Sequence, residues 1–416
     1  MTFFKKTIRD VPIAGKTVLI RADYNVPLRP DGTISDDLRI RASLPTLTYL
    51  LDRGCKLVIM SHLGRPDGKP VEKYSLKPVA KRLSELLHRE VRLSDDCIGD
   101  RAYQTAKTAP KDTVVLFENL RYHPQEEAND ETFAQNLAKS SGAAYFVQDG
   151  FGVVHRAHAS TDAITHYLPS VAGLLLEKEY TMLTESLEHP ARPLVAIMGG
   201  AKVSDKIAVI ERFVDKADQV LIGGAMANTF LAYKGVSVGK SMHESNQNEV
   251  LDRIYAAAAK KTQGPAETLI HTPVDVAVAK QIDPAEARRI VMVDDIAPDD
   301  IALDIGDKTI DQYVSIIERA GTVIWNGPVG YSELANFAHG SARIALALAT
   351  HPSVLSIVGG GDTADFVLKW DGNGGSSFSH VSTGGGAGLE LMAGEKLPGV
   401  EALLDEKQGI KYTKRK

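Results

Sequence analysis

The chain has 416 residues, 44% of them hydrophobic and 24% charged, enough for two globular cores and too many for one ordinary domain. A net charge of -5 argues against a nucleic-acid binder, which carries a basic excess, but leaves room for a local cluster of cations around a small anion. Two cysteines, Cys55 and Cys97, are too few for a disulfide framework or a cysteine-built zinc site, and no run of about 18 apolar residues marks a membrane span.

The first ten residues lack the apolar stretch of a signal peptide, so a cytoplasmic, reducing compartment is expected. Short apolar runs then alternate with helical patterns. Strands are predicted at 17–21, 56–60, 113–117 and 144–147, and again at 194–198, 219–222, 322–325 and 354–358, with a further run at 379–383. Runs apolar throughout, separated by helix-length segments, predict parallel, doubly wound α/β sheets. Of the 35 glycines, 25 lie beyond residue 190; of the 21 arginines, 13 lie before it. The stretch 170–187 reads as a helix closed by Pro190 and Pro193, and the domain junction is placed there.

In the first half, strand ends deliver polar groups, and ligands of open α/β sheets bind at those ends. The first strand gives Arg21-Ala-Asp-Tyr-Asn-Val-Pro27, where Arg21, Asp23 and Asn25 share one face of an extended chain. Later ends give Ser61-His-Leu-Gly-Arg-Pro66, Glu118-Asn-Leu-Arg-Tyr-His123 and Asp149-Gly-Phe-Gly-Val-Val-His-Arg-Ala-His158; Arg39 precedes a helical pattern. A guanidinium fork matches carboxylate and phosphate oxygens, so several convergent arginines imply a substrate with more than one negative charge. Any one arginine is more often a surface residue, and His155-x-x-His158 without further ligands is a weak metal signal; His62 follows the same logic.

In the second half, strand ends deliver glycine: Gly199-Gly-Ala-Lys-Val-Ser-Asp-Lys206, Gly223-Gly-Ala-Met226, Asn326-Gly-Pro-Val-Gly330 followed by Glu333, Gly359-Gly-Gly-Asp-Thr363, and Ser382-Thr-Gly-Gly-Gly386. Glycine lets backbone N–H groups approach phosphate, and a helix start adds partial positive charge. Lys202 and Lys206 are four apart and share a helix face if that helix begins early. A Walker A motif is absent. Gly359-x-Gly361-x-x-Ala364 fits a loose dinucleotide fingerprint, but the next strand ends at Val381-Ser-Thr383 without the acid that fingerprint requires. Two rival readings remain: a two-lobed anion-capturing protein and a two-domain dehydrogenase.

Together these segments resemble the phosphoglycerate kinase family, from about residue 8 to the C-terminus. The resemblance is carried by Arg21-Ala-Asp-Tyr-Asn-Val-Pro27, His62-Leu-Gly-Arg-Pro66, Glu118-Asn-Leu-Arg-Tyr-His-Pro124, His155-Arg-Ala-His158, Gly199-Gly-Ala-Lys-Val-Ser-Asp-Lys206, Trp325-Asn-Gly-Pro-Val-Gly330, Gly359-Gly-Gly-Asp-Thr363 and Ser382-Thr-Gly-Gly-Gly386, all in the family's order. It implies two Rossmann-like parallel-sheet domains, joined by a helix, with a cleft between them. The expected bounds are 1–170 for 3-phosphoglycerate, 171–188 for the helix, 189–399 for the nucleotide, and 400–416 packing back on the first domain, notably Ile410-Lys-Tyr-Thr413.

The implied reaction is reversible phosphoryl transfer from 1,3-bisphosphoglycerate to MgADP, giving 3-phosphoglycerate and MgATP. By matching position, Arg21, Asp23, Asn25, His62, Arg65, Arg121 and Arg156 bind 3-phosphoglycerate. Arg39, Lys202 and the helix-start amides of Gly384, Gly385 and Gly386 act on the moving phosphoryl group. The nucleotide falls to Gly200, Ala201, Lys206, Gly224, Leu303, Asn326, Pro328, Glu333, Gly359, Gly360, Gly361, Asp362 and Thr363, with Asp362 also holding magnesium. A monomer with hinge motion and no nucleic-acid or membrane partner is implied. The chain departs from the family pattern at Gly150, Val153, Val154, Ala225, Gly388 and the stretch 294–303.

Overall fold

The computed structural model describes residues 3–407. It divides into two compact units: the chain up to Thr181 together with the stretch from Lys396 onward, and Met182–Glu395.

The first unit contains β1 (Thr17–Arg21), α1 (Leu38–Asp52), β2 (Lys56–Met60), α2 (Lys77–Leu87), β3 (Val91–Leu93), α3 (Gly99–Thr108), β4 (Val114–Leu116), α4 (Glu131–Ser141), β5 (Tyr145–Gln148), β6 (Ser170–Ala172) and α5 (Leu174–Glu188), within which the division falls. The strands form one parallel sheet in the order β3-β4-β2-β1-β5-β6. Strands apolar throughout are buried on both faces, and one cluster including Val18, Ile20, Ile59, Leu116 and Val147 forms a core under α1 and α2. Local signals set helix ends. Asp130 accepts from the Phe133 N–H (2.7 Å) to start α4, and Gly142 at φ 60° stops it.

The second unit contains β7 (Leu194–Met198), α6 (Ile207–Lys216), β8 (Gln219–Ile222), α7 (Gly224–Tyr233), α8 (Asn248–Thr262), β9 (Ile270–His271), β10 (Asp275–Ala279), β11 (Arg289–Met292), β12 (Ile301–Ile305), α9 (Asp307–Ile317), β13 (Thr322–Asn326), α10 (His339–Thr350), β14 (Leu355–Gly359), α11 (Gly361–Asp371), β15 (His380–Val381) and α12 (Gly386–Ala393). Its parallel sheet has the order β15-β14-β13-β7-β8-β9, and β11-β10-β12 form a separate antiparallel sheet.

The chain then re-enters the first unit through α13 (Pro398–Glu401). The Gly399 N–H donates to Val154 O (2.9 Å), Leu404 N–H to Ser170 O (3.0 Å) and Lys6 N–H to Leu404 O (2.8 Å). The Lys5 ammonium meets Asp405 at 2.6 Å. The expectation for Ile410–Thr413 lies outside the described residues.

Three expectations need correction. Residues 170–172 are a strand, not the start of the helix. Gly173 separates the two, and a Cβ there would fall 2.0 Å from the Asp149 carboxylate. A three-residue stretch such as Ser170-Val-Ala172 is too short to show a period that separates strand from helix. The antiparallel β10–β12 sheet was not anticipated, so the second unit is not purely parallel. Finally, α6 begins at Ile207, after a short 3-10 turn at Ser204–Lys206, so Lys202 and Lys206 do not share a face of it.

Candidate active site

The register of the first sheet brings its strand ends to one level. Arg21 pairs with Met60 and with Gln148, and Ile59 with Leu116, so the loops after β1, β2, β4 and β5 leave one edge together. Asp23, Asn25, His62, Arg65, Arg121 and Arg156 all lie on these loops.

Asp23 is buried and paired with the Arg39 guanidinium, and it accepts from the Asn25 N–H at 3.1 Å. Burial works against its charge, yet Arg39 and Arg21 outweigh it and hold the carboxyl at about 2. The Asn25 side chain accepts from the Gly64 N–H (2.8 Å), which ties the loops after β1 and β2 together. The Arg121 guanidinium is buried, donating to Gly64 O (3.0 Å) and facing Glu127 (3.2 Å). Burial lowers its pKa, and so do the neighbouring charges of Arg156 and Arg65. Arg65 is exposed, while Arg156 donates to His155 Nε2 at 3.1 Å.

Two histidines report the local field. His155 and His158 are both held down at about 4, first by burial and then by arginines: Arg156 for the former, Arg21, Arg121 and Arg156 for the latter. Crowded like charges are relieved by a polyanion. Neither histidine belongs to a cluster of three possible metal ligands among the described residues.

Arg21 departs from the expectation of a ligand contact. It is 1% exposed, and its donors face inward, to Ser160 Oγ (2.7 Å), to the Ala22 carbonyl and to His62 Nδ1 (3.2 Å). Glu126, fully buried and bonded by Ser160 Oγ (2.6 Å), lies 3.9 Å away. Arg21 therefore holds the loops that carry the other residues. Because His62 Nδ1 accepts from Arg21, its proton is on Nε2, and burial together with the arginines pushes the ring's pKa well below its ordinary value. Neither Glu126 nor Ser160 was singled out in the sequence; a buried acid in the loop between β4 and α4 gives no local signal.

In the second unit, parallel pairing sets Met198, Asn326 and Gly359 side by side at the ends of β7, β13 and β14. β7 is flanked by β13 and β8, so strand order reverses there, the usual location of a ligand crevice. The glycines divide by role. A Cβ on Gly199 would meet Pro328 O at 2.1 Å, and one on Gly327 (φ 96°) would meet Gly199 O at 2.3 Å, so these glycines let two loops touch backbone to backbone. The Gly200 N–H donates to Pro328 O (2.9 Å), and Gly224 is packed against Gly200. By contrast, Gly361 and Gly385 have open space where a Cβ would stand. They mark the starts of α11 and α12, which have no side-chain cap. Unpaired helix-start N–H groups beside open space suit a phosphate.

Lys206 reaches this edge. Its ammonium donates to Asn326 Oδ1 (2.7 Å) and Gly199 O (3.0 Å). Burial pulls its pKa down to about 8, against the opposing charges of Asp362 and Asp205. Asn326 Nδ2 is buried without a partner and faces the Gly360 backbone. Asp362 is exposed in the first turn of α11, whereas Thr363 is buried and accepts from the Gly327 N–H (2.7 Å). Ala201 and Lys202 are exposed, and the Gly384 N–H donates to Ser382 Oγ (3.0 Å). Leu303 lies on β12, packed with Ala277, Ala279 and Phe337; its carbonyl accepts from Tyr331 N–H (2.7 Å), close to exposed Glu333. A cavity of about 710 Å³ lined by Arg192, Asp218, Gln219 and His271 lies at the opposite, amino ends of β7 and β8, the wrong end of the sheet for this chemistry.

An arginine cluster at the strand ends of one α/β unit, with helix starts, a lysine and an aspartate at those of another, defines a two-domain α/β phosphotransferase. Known proteins narrow the class. The family profile described as phosphoglycerate kinase matches residues 8–395. The chain is 46% identical over 402 residues to the phosphoglycerate kinase of Pelotomaculum thermopropionicum, covering 97% of this chain and 100% of the relative. It is 49% identical over 405 residues to that of Chloroflexus aurantiacus, covering 96% and 99%. The solved phosphoglycerate kinase of Coxiella burnetii superposes with a TM-score of 0.81 at 36% identity, over 96% of this chain and 98% of that one. The corresponding structure from Pyrococcus horikoshii OT3 gives 0.81 at 32%, with the same coverage. The chain belongs to the phosphoglycerate kinase family, and it is a kinase.

Proposed function

We propose that the chain moves a phosphoryl group reversibly between 1,3-bisphosphoglycerate and ADP, giving 3-phosphoglycerate and ATP, as a monomeric cytoplasmic enzyme of glycolysis and gluconeogenesis. The reading rests above all on the convergence of Arg39, Arg65, Arg121 and Arg156 on one sheet edge. In it, the first unit takes the phosphoglycerate. Arg65, Arg121 and Arg156 meet its anionic groups, Asp23, Asn25 and His62 fix its orientation, and buried Arg21 supports them from behind. The second unit takes the nucleotide through Lys206, Asn326, Asp362 and the amides of Gly359, Gly360 and Gly361, with Gly200, Ala201, Gly224 and Thr363 shaping the loops, and Leu303, Pro328 and Glu333 facing the nucleoside.

Magnesium fits this arrangement. It takes one or two carboxylates together with substrate phosphates and water, and exposed Asp362 supplies a hard oxygen beside the helix-start amides. Bound there, the ion neutralises phosphate charge. No phospho-enzyme is needed: positioning and electrostatics suffice for in-line transfer. Arg39, Lys202 and the Gly385 and Gly386 amides stabilise the charge on the moving group, while Gly384, its N–H bonded to Ser382 Oγ, shapes the turn that presents them. Reacting atoms must come to about 3–3.5 Å with water excluded, so closure of the two units around both substrates belongs to the proposal.

A coupled assay of ATP consumption with 3-phosphoglycerate tests the activity; an anion-capturing protein or a dehydrogenase consumes none. Small-angle scattering with no ligand, each ligand and both tests closure. An unchanged radius of gyration in active, doubly liganded enzyme counts against it.

A further inference from the structure

Outside the site, three residues of unlike chemistry meet in the first unit: Asp96 and Cys97, just before α3, and His123, in the loop after β4. A carboxylate oxygen, the Cys97 Sγ and a ring nitrogen all lie within 4.8 Å of one another. His123 Nε2 is 2.7 Å from Asp96 Oδ1, which also accepts from the Cys97 N–H (2.6 Å). The Phe133 ring, centroids 5.2 Å apart, holds the imidazole in place. The thiol is fully buried, whereas the Asp96 side chain is 41% and that of His123 25% exposed, so the cluster is closed on its sulfur side and open to solvent on the other.

We propose that Asp96, Cys97 and His123 form a binding site for a borderline-soft divalent cation of the zinc type, separate from the magnesium-nucleotide site. Sulfur, nitrogen and oxygen donors suit zinc and not magnesium, which takes oxygen. Three protein ligands and one solvent-facing position match zinc coordination with an open fourth place. Tetrahedral ligands around zinc lie about 3.5 Å apart; the His123 Nε2–Asp96 Oδ1 pair, at 2.7 Å, opens slightly on binding, while every donor spacing already lies within 4.8 Å. Binding displaces the thiol proton to solvent, one per ion, as the sulfur ligates as thiolate; the imidazole binds neutral. The bound ion anchors His123, two residues beyond Arg121, to the segment that leads into α3.

Cobalt(II) is the spectroscopic probe, added to metal-free full-length protein. The expected result is a near-ultraviolet thiolate-to-cobalt charge-transfer band saturating at one equivalent and removed by zinc. The band is lost in Cys97→Ser and retained in Cys55→Ser. Asp96→Asn and His123→Gln each keep the thiol and weaken binding by about 10-fold or more. Zinc raises the melting temperature of the wild type and leaves that of Cys97→Ser unchanged, circular dichroism verifying that each variant folds. Absence of the band in the wild type, its persistence in Cys97→Ser, or undiminished affinity in both Asp96→Asn and His123→Gln overturns the site and leaves a hydrogen-bonded structural cluster.

Discussion

In the proposed nucleotide site, the surroundings of Lys206 set a pH signature. Burial lowers its pKa to about 8, although Asp362 and Asp205 pull the other way. In the free protein the lysine binds fewer protons than in the unfolded chain between about pH 8 and its ordinary value of 10.5, so this group makes stability rise with pH across that window. Nucleotide binding does the reverse: a phosphate beside the ammonium restores the pKa toward its ordinary range, so the lysine must be protonated to bind. At pH 9, one unit above the free value, ADP affinity is therefore about 10-fold weaker than at pH 7, with a further fall of about 10-fold per unit until the bound pKa is reached. The nucleotide's own phosphate, with a second pKa near about 6, is fully ionised throughout. Calorimetric titration with MgADP from pH 7 to 9.5 measures this. Lys206→Arg, charged at every pH, abolishes the slope whatever its absolute affinity. A flat profile in the wild type, or the same slope in Lys206→Arg, refutes the reasoning.

Asp362→Ala weakens MgADP binding and leaves 3-phosphoglycerate binding intact, measured by separate titrations; the opposite pattern removes Asp362 from the nucleotide site. Arg39→Ala lowers kcat by about 10³-fold or more if Arg39 meets charge mainly in the transition state, whereas Arg121→Ala and Arg156→Ala chiefly raise the KM for 3-phosphoglycerate. Steady-state kinetics on the three variants separate these roles. Arg21→Met leaves Glu126 buried without its countercharge and destabilises the first unit by about 3–5 kcal/mol, read as lost hydrogen-exchange protection in β1 and β2; normal protection with a raised KM alone would restore Arg21 as a substrate contact. Asp149 is buried with Oδ2 unpartnered and its carboxyl pushed up to about 7, chiefly by burial, despite bonds from Thr46 and the first turn of α5. Its folded pKa exceeds the ordinary 3.8, so stability from this group falls as pH rises through that window. Asp149→Asn flattens the profile in thermal melts from pH 4 to 8, and identical profiles contradict the assignment.

The sequence by itself determined most of the parallel strands and the residue types at their ends. A strand such as Leu194–Met198 is apolar at every position because both faces are covered, and the loop after it has no such constraint, so glycine, lysine and arginine there stand out. Short or half-exposed strands carry no such pattern: Val91–Leu93, Ser170–Ala172 and the exposed β11 were legible only once their neighbours were in place. What each end residue does was decided by tertiary structure. Arg21 and Arg121 look alike in sequence. One is enclosed with Glu126 and Ser160 and the other stands beside Arg65 and Arg156, because the partners come from loops far along the chain. Gly199 and Gly361 likewise look alike after their strands. One is glycine because another backbone touches it, the other beside empty space at a helix start. Side-chain type is local information; burial, countercharge and crowding are set by residues brought together only when the sheet forms.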